Sequence, residues 1–332
     1  MHRSLLAILA CPECHASLVL KDAHPIDPIQ SGSLQCAFCN RVYQIINGIP
    51  RFASTEADYV GNFGWQWEKF RRTQVDQLNG TRESENRFRV ETGWNPEGVK
   101  DALVLDVGCG SGRFSAIAAK WGARVVAIDL APGAVEACSR TMTEIGAEID
   151  VVQASLYKLP FRPQAFDRIY SLGVLQHTPD PKEAMEALPP FLKPGGSLAY
   201  WIYEKRWYRF LMIRNYIRVV TQRLPRKANW AISLLLVCFF FPVALPMSFI
   251  PILKKLQPLL PISPRIWWGR LTLKQSWHWT TLDTFDSYSA KYEISQREKD
   301  VRKSLTRAGM TDIQRTPARG MAITARRPLP GR

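Results

Sequence analysis

The chain reads as an α/β protein: a parallel sheet covered by helices, with a small metal-clipped segment in front and a helical insertion near the end. Three observations carry this reading. From Val99 onward, apolar runs of strand length alternate with helix-like segments, the order that builds a parallel sheet with crossover helices. The first run closes on Asp106 and leads into glycines at alternate positions, Gly108, Gly110 and Gly112. Near the N-terminus, two Cys-x-x-Cys pairs stand in a stretch too short to build a large core of its own.

The 332 residues suit roughly two domains of ~150 residues each, and a hydrophobic content of 46% supports a packed core. Four segments are expected: 1–53, clipped by metal; 54–98, a linker with capping helices; 99–204 together with 283–328, the α/β domain; and 205–282, the insertion. The formal net charge of +15 is concentrated in the last of these, where Lys205–Leu282 holds thirteen Lys or Arg and no Asp or Glu. Such a bias points to an anionic partner, either lipid head groups or nucleic acid.

Cys11 and Cys14 form the first pair, Cys36 and Cys39 the second, with 21 residues between them. In a chain otherwise built like a cytosolic enzyme, such pairs favour metal over disulfides. Four thiolates close a tetrahedral Zn²⁺ site and leave no open position for chemistry, so the zinc is structural. The start of the chain imitates a lipoprotein leader: Arg3, an apolar run of about seven residues, then Ala10 and Cys11. That run lies at the lower limit of ~7–15 for such a segment, and Cys11 is already claimed by the first pair. The wording from Ser4 to Cys14, from Leu34 to Cys39, at Val42-Tyr43-Gln44-Ile45 and at Gly48-Ile49-Pro50 resembles a small bacterial zinc-ribbon family. That family is similar to the activator subunit of tRNA and release-factor methyltransferases. The resemblance covers 4–52 and implies a structural or docking module.

In the linker, Asp58 to Phe70 reads as a short helix. Trp65, Trp67, Phe70 and Trp94 either pack between domains or cover a ligand. Strands are expected at Ala102–Asp106, Arg124–Asp129, Asp150–Gln153, Phe166–Ser171 and Ser197–Glu204, and helices at Phe114–Trp121, Ala131–Ile145 and Lys182–Leu192. The last helix is expected to stop at Lys193-Pro194-Gly195-Gly196. Glycine lacks a Cβ, so the 108–112 turn bends sharply and its backbone approaches a ligand closely. The order strand, glycine turn, helix, strand, acid is the context of a nucleotide-type ligand.

Six landmarks in order resemble class I S-adenosylmethionine-dependent methyltransferases of the type 11 kind. They are Asp106-x-Gly108-x-Gly110-x-Gly112, Asp129, Leu159-Pro160-Phe161, Phe166-Asp167, His177-Thr178-Pro179-Asp180-Pro181 and Leu192 to Gly196. The match covers 99–204 and resumes from about 291 to 328 with Val301–Gly309 and the strands after it. The resemblance implies a Rossmann-like seven-stranded sheet with helices on both faces and S-adenosylmethionine as cofactor. It carries cofactor binding to Asp106, Gly108, Cys109, Gly110, Gly112, Asp129, Leu130, Ser155 and Leu156. The turn would bring backbone amides to the amino-acid tail, Asp106 would position its ammonium, and Asp129 would accept the ribose hydroxyls. Cys109, between two glycines, packs its side chain inward. One departure stands out. The family places an acid two residues after the glutamine of the third strand, whereas this chain reads Gln153-Ala154-Ser155, which moves adenine recognition toward backbone near Leu156.

Methyl transfer asks the protein mainly for alignment, and for a base where the nucleophile must lose a proton. His177 is the histidine of the matched domain and the candidate catalytic base; the alternative is that it braces the turn at Thr178–Pro181.

The insertion opens with a basic-aromatic run from Lys205 to Arg218, and Ala228–Leu253 follows with 26 uncharged residues. This exceeds the ~20 that cross a bilayer. Pro242, Pro246 and Pro251 are expected to interrupt it, and a single crossing would put strands of one sheet on opposite sides. Two readings stay open: an interfacial membrane element with Trp207, Trp230, Trp267 and Trp268 at the head groups, or a helical lid over the site. The expected function is methyl transfer to a small-molecule or lipid-linked acceptor, in the cytoplasm and peripheral on the inner membrane face, against an anionic surface. The alternatives are an RNA methyltransferase and a non-catalytic scaffold. The long uncharged run speaks against RNA, whose binding rests on phosphate contacts, and the intact glycine turn speaks against the scaffold.

Overall fold

The structure, a computed structural model, describes residues 1–53 and 60–331, with the backbone alone at Tyr208 and Phe210. Four short strands, β1 (Leu18–Lys21), β2 (Gly32–Cys36), β3 (Val42–Ile46) and β4 (Ile49–Pro50), form an antiparallel sheet in that order. Seven more form the main sheet: β5 (Leu103–Val107), β6 (Arg124–Asp129), β7 (Asp150–Gln153), β8 (Phe166–Leu172), β9 (Leu192–Ile202), β10 (Thr311–Arg315) and β11 (Met321–Arg326). Their order is β10-β11-β9-β8-β5-β6-β7. The strands β5 to β9 run parallel, while β11 is antiparallel to both β9 and β10. From β5 the chain steps outward through β6 to β7, then returns to the other side of β5 as β8. That reversal opens a crevice at the carboxyl ends of β5 and β8, where ligands bind in open α/β sheets.

Side chains alternate across a strand, and the core divides accordingly. Leu105, Val126, Ile128 and Val152 pack on one face with Ala184, Leu188 and Leu305. Val104, Val125, Ala127 and Val151 pack on the other with Phe88, Ile117 and Trp121. The sheet is thus covered on both faces, as the sequence predicts.

Two expected elements differ. The helix expected at Lys182–Leu192 spans Pro181–Ala187, capped by Asp180, whose Oδ1 accepts from the amides of Lys182 (2.8 Å) and Glu183 (3.1 Å). Pro189 and Pro190 cannot donate to a helix and end it early. Lys193–Gly196 then belongs to the opening of β9 rather than to a helix stop. In the linker a helix occupies Gly61–Lys69; Asp58 and Tyr59, at the start of the expected segment, lie outside the described residues.

The N-terminal sheet is joined to the main one through backbone. Leu9 bridges Phe161, the Ala10 amide donates to the Pro160 carbonyl (2.9 Å), and the Arg162 amide donates to the Ile8 carbonyl (2.8 Å). On the edge of β7, Arg51 bridges Gln153, and the Phe52 amide donates to its carbonyl (2.8 Å). Leu5, Leu9, Leu34 and Ile45 share one apolar cluster with Leu159 and Phe161. The apolar run that imitates a leader is therefore part of the folded core.

The insertion is helical, with helices at Ile213–Thr221, Arg226–Met247 and Leu273–Ser289. Of the three expected interruptions, Pro242 and Pro246 do not break the run, because the second of these helices continues through both, whereas Pro251 opens a separate short helix, Pro251–Lys254. Proline withholds an amide from the helix ladder. Near the helix end, the side-chain amide of Gln257 donates to the Ala244 carbonyl (2.8 Å). This helix buries one stripe, Asn229, Ser233, Val237, Phe241 and Ala244, and lies beside Leu273–Ser289. Thr272 and Gln275 start that partner helix with a reciprocal capping box. The partner helix runs across the expected junction at 282/283.

Candidate active site and metal centre

The four knuckle cysteines converge. Their sulfurs all lie within 4.8 Å of one another, with Cys11 and Cys39 at 3.7 Å and Cys14 and Cys36 at 3.4 Å. A tetrahedral ion with Zn–S bonds of ~2.3 Å separates its sulfurs by about 3.8 Å. The donor set and its spacing fit zinc.

The glycine turn follows β5 into the crevice. Gly108, Gly110 and Gly112 all have positive φ, at 82°, 54° and 84°. A Cβ on Gly108 would stand 2.4 Å from Val174 Cγ2, and one on Gly110 would stand 2.8 Å from the Trp67 ring. Only glycine fits at these two positions. The amides of this turn are mostly committed. Gly108 and Cys109 donate to the Ile128 carbonyl (2.8 and 2.9 Å), Gly110 donates to Asp129 Oδ2 (3.0 Å), and Gly112 donates to the Cys109 carbonyl (2.9 Å). Among the described residues, the Ser111 amide is the one of the five without a partner.

Asp129, at the end of β6, also accepts from the Ala131 amide through Oδ1 (2.9 Å). A carboxylate has about four acceptor sites in all, so the group keeps acceptor capacity for a ligand hydroxyl. Burial pushes this carboxyl upward, against the amides of Ala131, Gly110 and Leu130.

A cavity of about 1480 Å³ opens over the turn. Its wall includes Gly108, Cys109, Gly110, Asp129, Leu130, Leu156 and His177, the larger part of the residues carried over from the resemblance. Asp106, Gly112 and Ser155 are not on that wall. Asp106 sits behind it, fully buried, and accepts from Ser115 Oγ (2.6 Å) at the start of the next helix. Burial pushes its carboxyl up to about 7. Ser155 Oγ accepts from the Tyr157 amide (3.3 Å) and holds a local turn.

The wall holds orphaned buried polar atoms: among the described residues, Ser111 Oγ, Gln66 Oε1 and both side-chain ends of Gln176 have no partner. Buried polar groups are normally paired, so these fit a polar ligand with donors and acceptors. The cavity also exceeds the ~300–1,000 Å³ usual for one small ligand. It has room for a cofactor and an acceptor together.

Arg113 lies on the same wall, and the sequence reading passed over it. Its Nε donates to Ser84 Oγ (2.8 Å) and an Nη to Gln74 Oε1 (3.1 Å), with no carboxylate paired to it among the described residues. Burial pushes the guanidinium down to about 9. Its signal was its position directly after Gly112. Of the linker aromatics, Trp67 covers the turn. Trp65 and Phe70 pack on Trp230, and Trp94 packs on Phe88 and Tyr170. His177 ends a short turn after β8, with Nδ1 2.9 Å from the Tyr292 carbonyl. That carbonyl accepts only, so Nδ1 carries the hydrogen and Nε2 is the basic nitrogen. Phe63 and Tyr203 flank the ring.

Strand order, glycine turn, β6 carboxylate and cavity together define the S-adenosylmethionine-dependent methyltransferase fold. The comparisons agree. Residues 105–200 match the family model described as a methyltransferase domain, and residues 2–48 match that of the Trm112p-like protein. The chain therefore joins a Trm112p-like zinc-ribbon domain to a methyltransferase domain. It is similar to ubiquinone biosynthesis O-methyltransferase of Xylella fastidiosa (strain 9a5c), 36% identical over 129 residues, 39% of this chain and 52% of that protein. The protein of the same name from Xanthomonas euvesicatoria pv. vesicatoria is 42% identical over 98 residues, 29% of this chain and 41% of that protein. The chain thus spans about half the length, or less, of these curated relatives. A crystal structure of magnesium protoporphyrin IX methyltransferase from Synechocystis PCC 6803 with bound SAH is similar at 15% identity and a TM-score of 0.46, over 81% of this chain and 97% of that one.

Proposed function

We infer that the protein transfers a methyl group from S-adenosylmethionine to a small, lipid-like acceptor. The observation that carries this reading is one cavity bounded on one side by the glycine turn and Asp129 and on the other by the insertion. When bound, S-adenosylmethionine supplies a methyl group activated by its sulfonium. Asp129 holds the ribose hydroxyls, while Ser111 and Gln176 offer polar contacts on the same wall. His177 Nε2 takes the proton from an acceptor hydroxyl as its oxygen attacks, and Tyr292 keeps the ring in the basic tautomer. The relatives named as O-methyltransferases support oxygen as the attacking atom.

The insertion supports an acceptor drawn from a membrane surface. The helix Ile213–Thr221 turns Arg214 and Arg218 inward, to Ser263, Glu293 and the Ala290 carbonyl. It turns Ile213, Tyr216, Val219 and Val220 to the outside. On the helix Arg226–Met247, Leu235 and Phe239, 69% and 71% exposed, stand one turn apart on a single outer face. That helix has the length and composition to cross a bilayer. Its buried stripe, and the shared sheet on either side of the insertion, favour lying along an anionic cytoplasmic surface instead.

The test is incubation of the full chain with a methyl-labelled donor and a membrane lipid extract. Label in the organic-soluble fraction, lost in Gly110→Arg, is expected. Label confined to added RNA, or none in either fraction, would overturn the reading.

A further inference from the structure

The insertion side of the cavity carries cations in excess of the acids that face them. Arg206 pairs with Glu204 (2.7 Å), Arg209 with Glu293, Arg265 with Asp283, and Arg270 with Glu83 (2.5 Å). These four carboxylates are thus taken up by arginines. Of the wall cations that the insertion supplies, three more, Arg214, Lys254 and Lys255, have no carboxylate within ion-pair distance among the described residues.

Arg214 is the most informative of the three. Its guanidinium is held inward by neutral groups, Ser263 Oγ at 3.2 Å and Met212 Sδ at 3.3 Å. Ser263 Oγ is in turn 3.1 Å from Ser287 Oγ, and both serines line the cavity. A half-buried guanidinium fixed by neutral partners keeps most of its five donors for something else. Lys254 and Lys255 stand exposed at the rim, where the chain leaves Pro251–Lys254. Among the described residues, one acid of this side, Asp286, has no Lys or Arg within ion-pair distance, and it interacts electrostatically with His177. It accepts from Gln66 Nε2 (3.2 Å), on the side of the linker helix.

We propose that Arg214, Lys254 and Lys255 form an anion subsite, which takes a phosphate or diphosphate group carried by the acceptor. Planar guanidinium donors match phosphate oxygens bidentately, and rim lysines add charge without fixed geometry. An acceptor of this kind would lay its apolar part along the insertion and its anionic group on Arg214, with the methylated atom toward His177. The subsite rests on the methyltransferase reading given above.

The test uses the full chain saturated with S-adenosylhomocysteine and titrated with inorganic pyrophosphate in a calorimeter. One site per chain is expected, weakened at least tenfold in Arg214→Met, partly restored in Arg214→Lys, and weakened a few-fold in Lys254→Gln/Lys255→Gln. The affinity for S-adenosylhomocysteine should be the same in all four proteins. Displacement of pyrophosphate by phosphatidylglycerol vesicles, but not by phosphatidylcholine vesicles, assigns the site to a lipid head group. Retention of pyrophosphate against both assigns it to a soluble phosphorylated acceptor. No pyrophosphate binding, or equal binding in wild type and Arg214→Met, overturns the subsite and leaves the cofactor site standing. Failure to bind S-adenosylhomocysteine would instead overturn the methyltransferase reading.

Discussion

Asp129 Oδ2 accepts the Gly110 amide at 3.0 Å, so the acid at the end of β6 and the turn at the end of β5 are one unit. The bond positions the carboxylate before any ligand arrives. It also makes the two strand ends depend on each other: a change in the turn releases the acid, and loss of the acid frees an amide in the turn.

Gly108→Ala should therefore harm the site even though it adds a single methyl group. The residue has φ at 82°, and the new Cβ would meet Val174 at 2.4 Å. Such strain costs about 1–3 kcal/mol. The expected outcome is a lower melting temperature, loss of S-adenosylhomocysteine binding in a calorimeter, and unchanged zinc content.

The stability of the apo protein should fall as pH rises from about 4 through 7. Asp106 is buried, and its carboxyl is raised to about 7, so the folded state holds a proton that the unfolded chain releases near pH 4. The stabilisation is complete at low pH and is lost as pH climbs through 7. It is on the order of 4 kcal/mol at most. Other groups titrate in the same window, so the informative quantity is the difference between wild type and Asp106→Asn. Melting curves at pH 5, 6, 7 and 8 should show a shallower decline in the variant.

Zinc removal should destabilise the methyltransferase domain as well as the ribbon. Leu9 bridges Phe161, and their side chains belong to one cluster. Cys14→Ser should lose zinc by elemental analysis and lower the melting temperature in a single transition. Two separate transitions, with the larger one unmoved, would count against this coupling.

Leu235→Glu/Phe239→Glu should weaken flotation with phosphatidylglycerol vesicles by at least tenfold and leave S-adenosylhomocysteine affinity unchanged. Burying a large apolar side chain contributes about 1.5–3 kcal/mol, and tenfold in affinity is about 1.4 kcal/mol. Equal flotation of variant and wild type would remove the membrane-surface reading.

Local signals were legible in the sequence to the extent that they were self-contained. The strands β6 and β7 fall at the expected residues because short apolar runs end abruptly at Asp129 and Gln153. The cysteine cluster was legible from spacing alone. The elements that differ depend on competing or distant partners. Pro189 and Pro190 stop a helix that the apolar pattern would have continued. The inward arginines of Ile213–Thr221 contradict the usual outward placement of charge, because Glu293, far along the chain, receives Arg218. Gln176 and Arg113 join the cavity through turns whose direction no periodicity encodes.

The central claim is that Asp129 and the glycine turn hold S-adenosylmethionine in this cavity. Calorimetric titration of S-adenosylmethionine into wild type and Asp129→Ala tests it most directly. Charge-assisted hydrogen bonds contribute about 1.5–3 kcal/mol each. Wild type should therefore bind one equivalent per chain, and the variant should bind at least tenfold more weakly. Absence of binding to wild type, or equal affinity in the two proteins, would contradict the account.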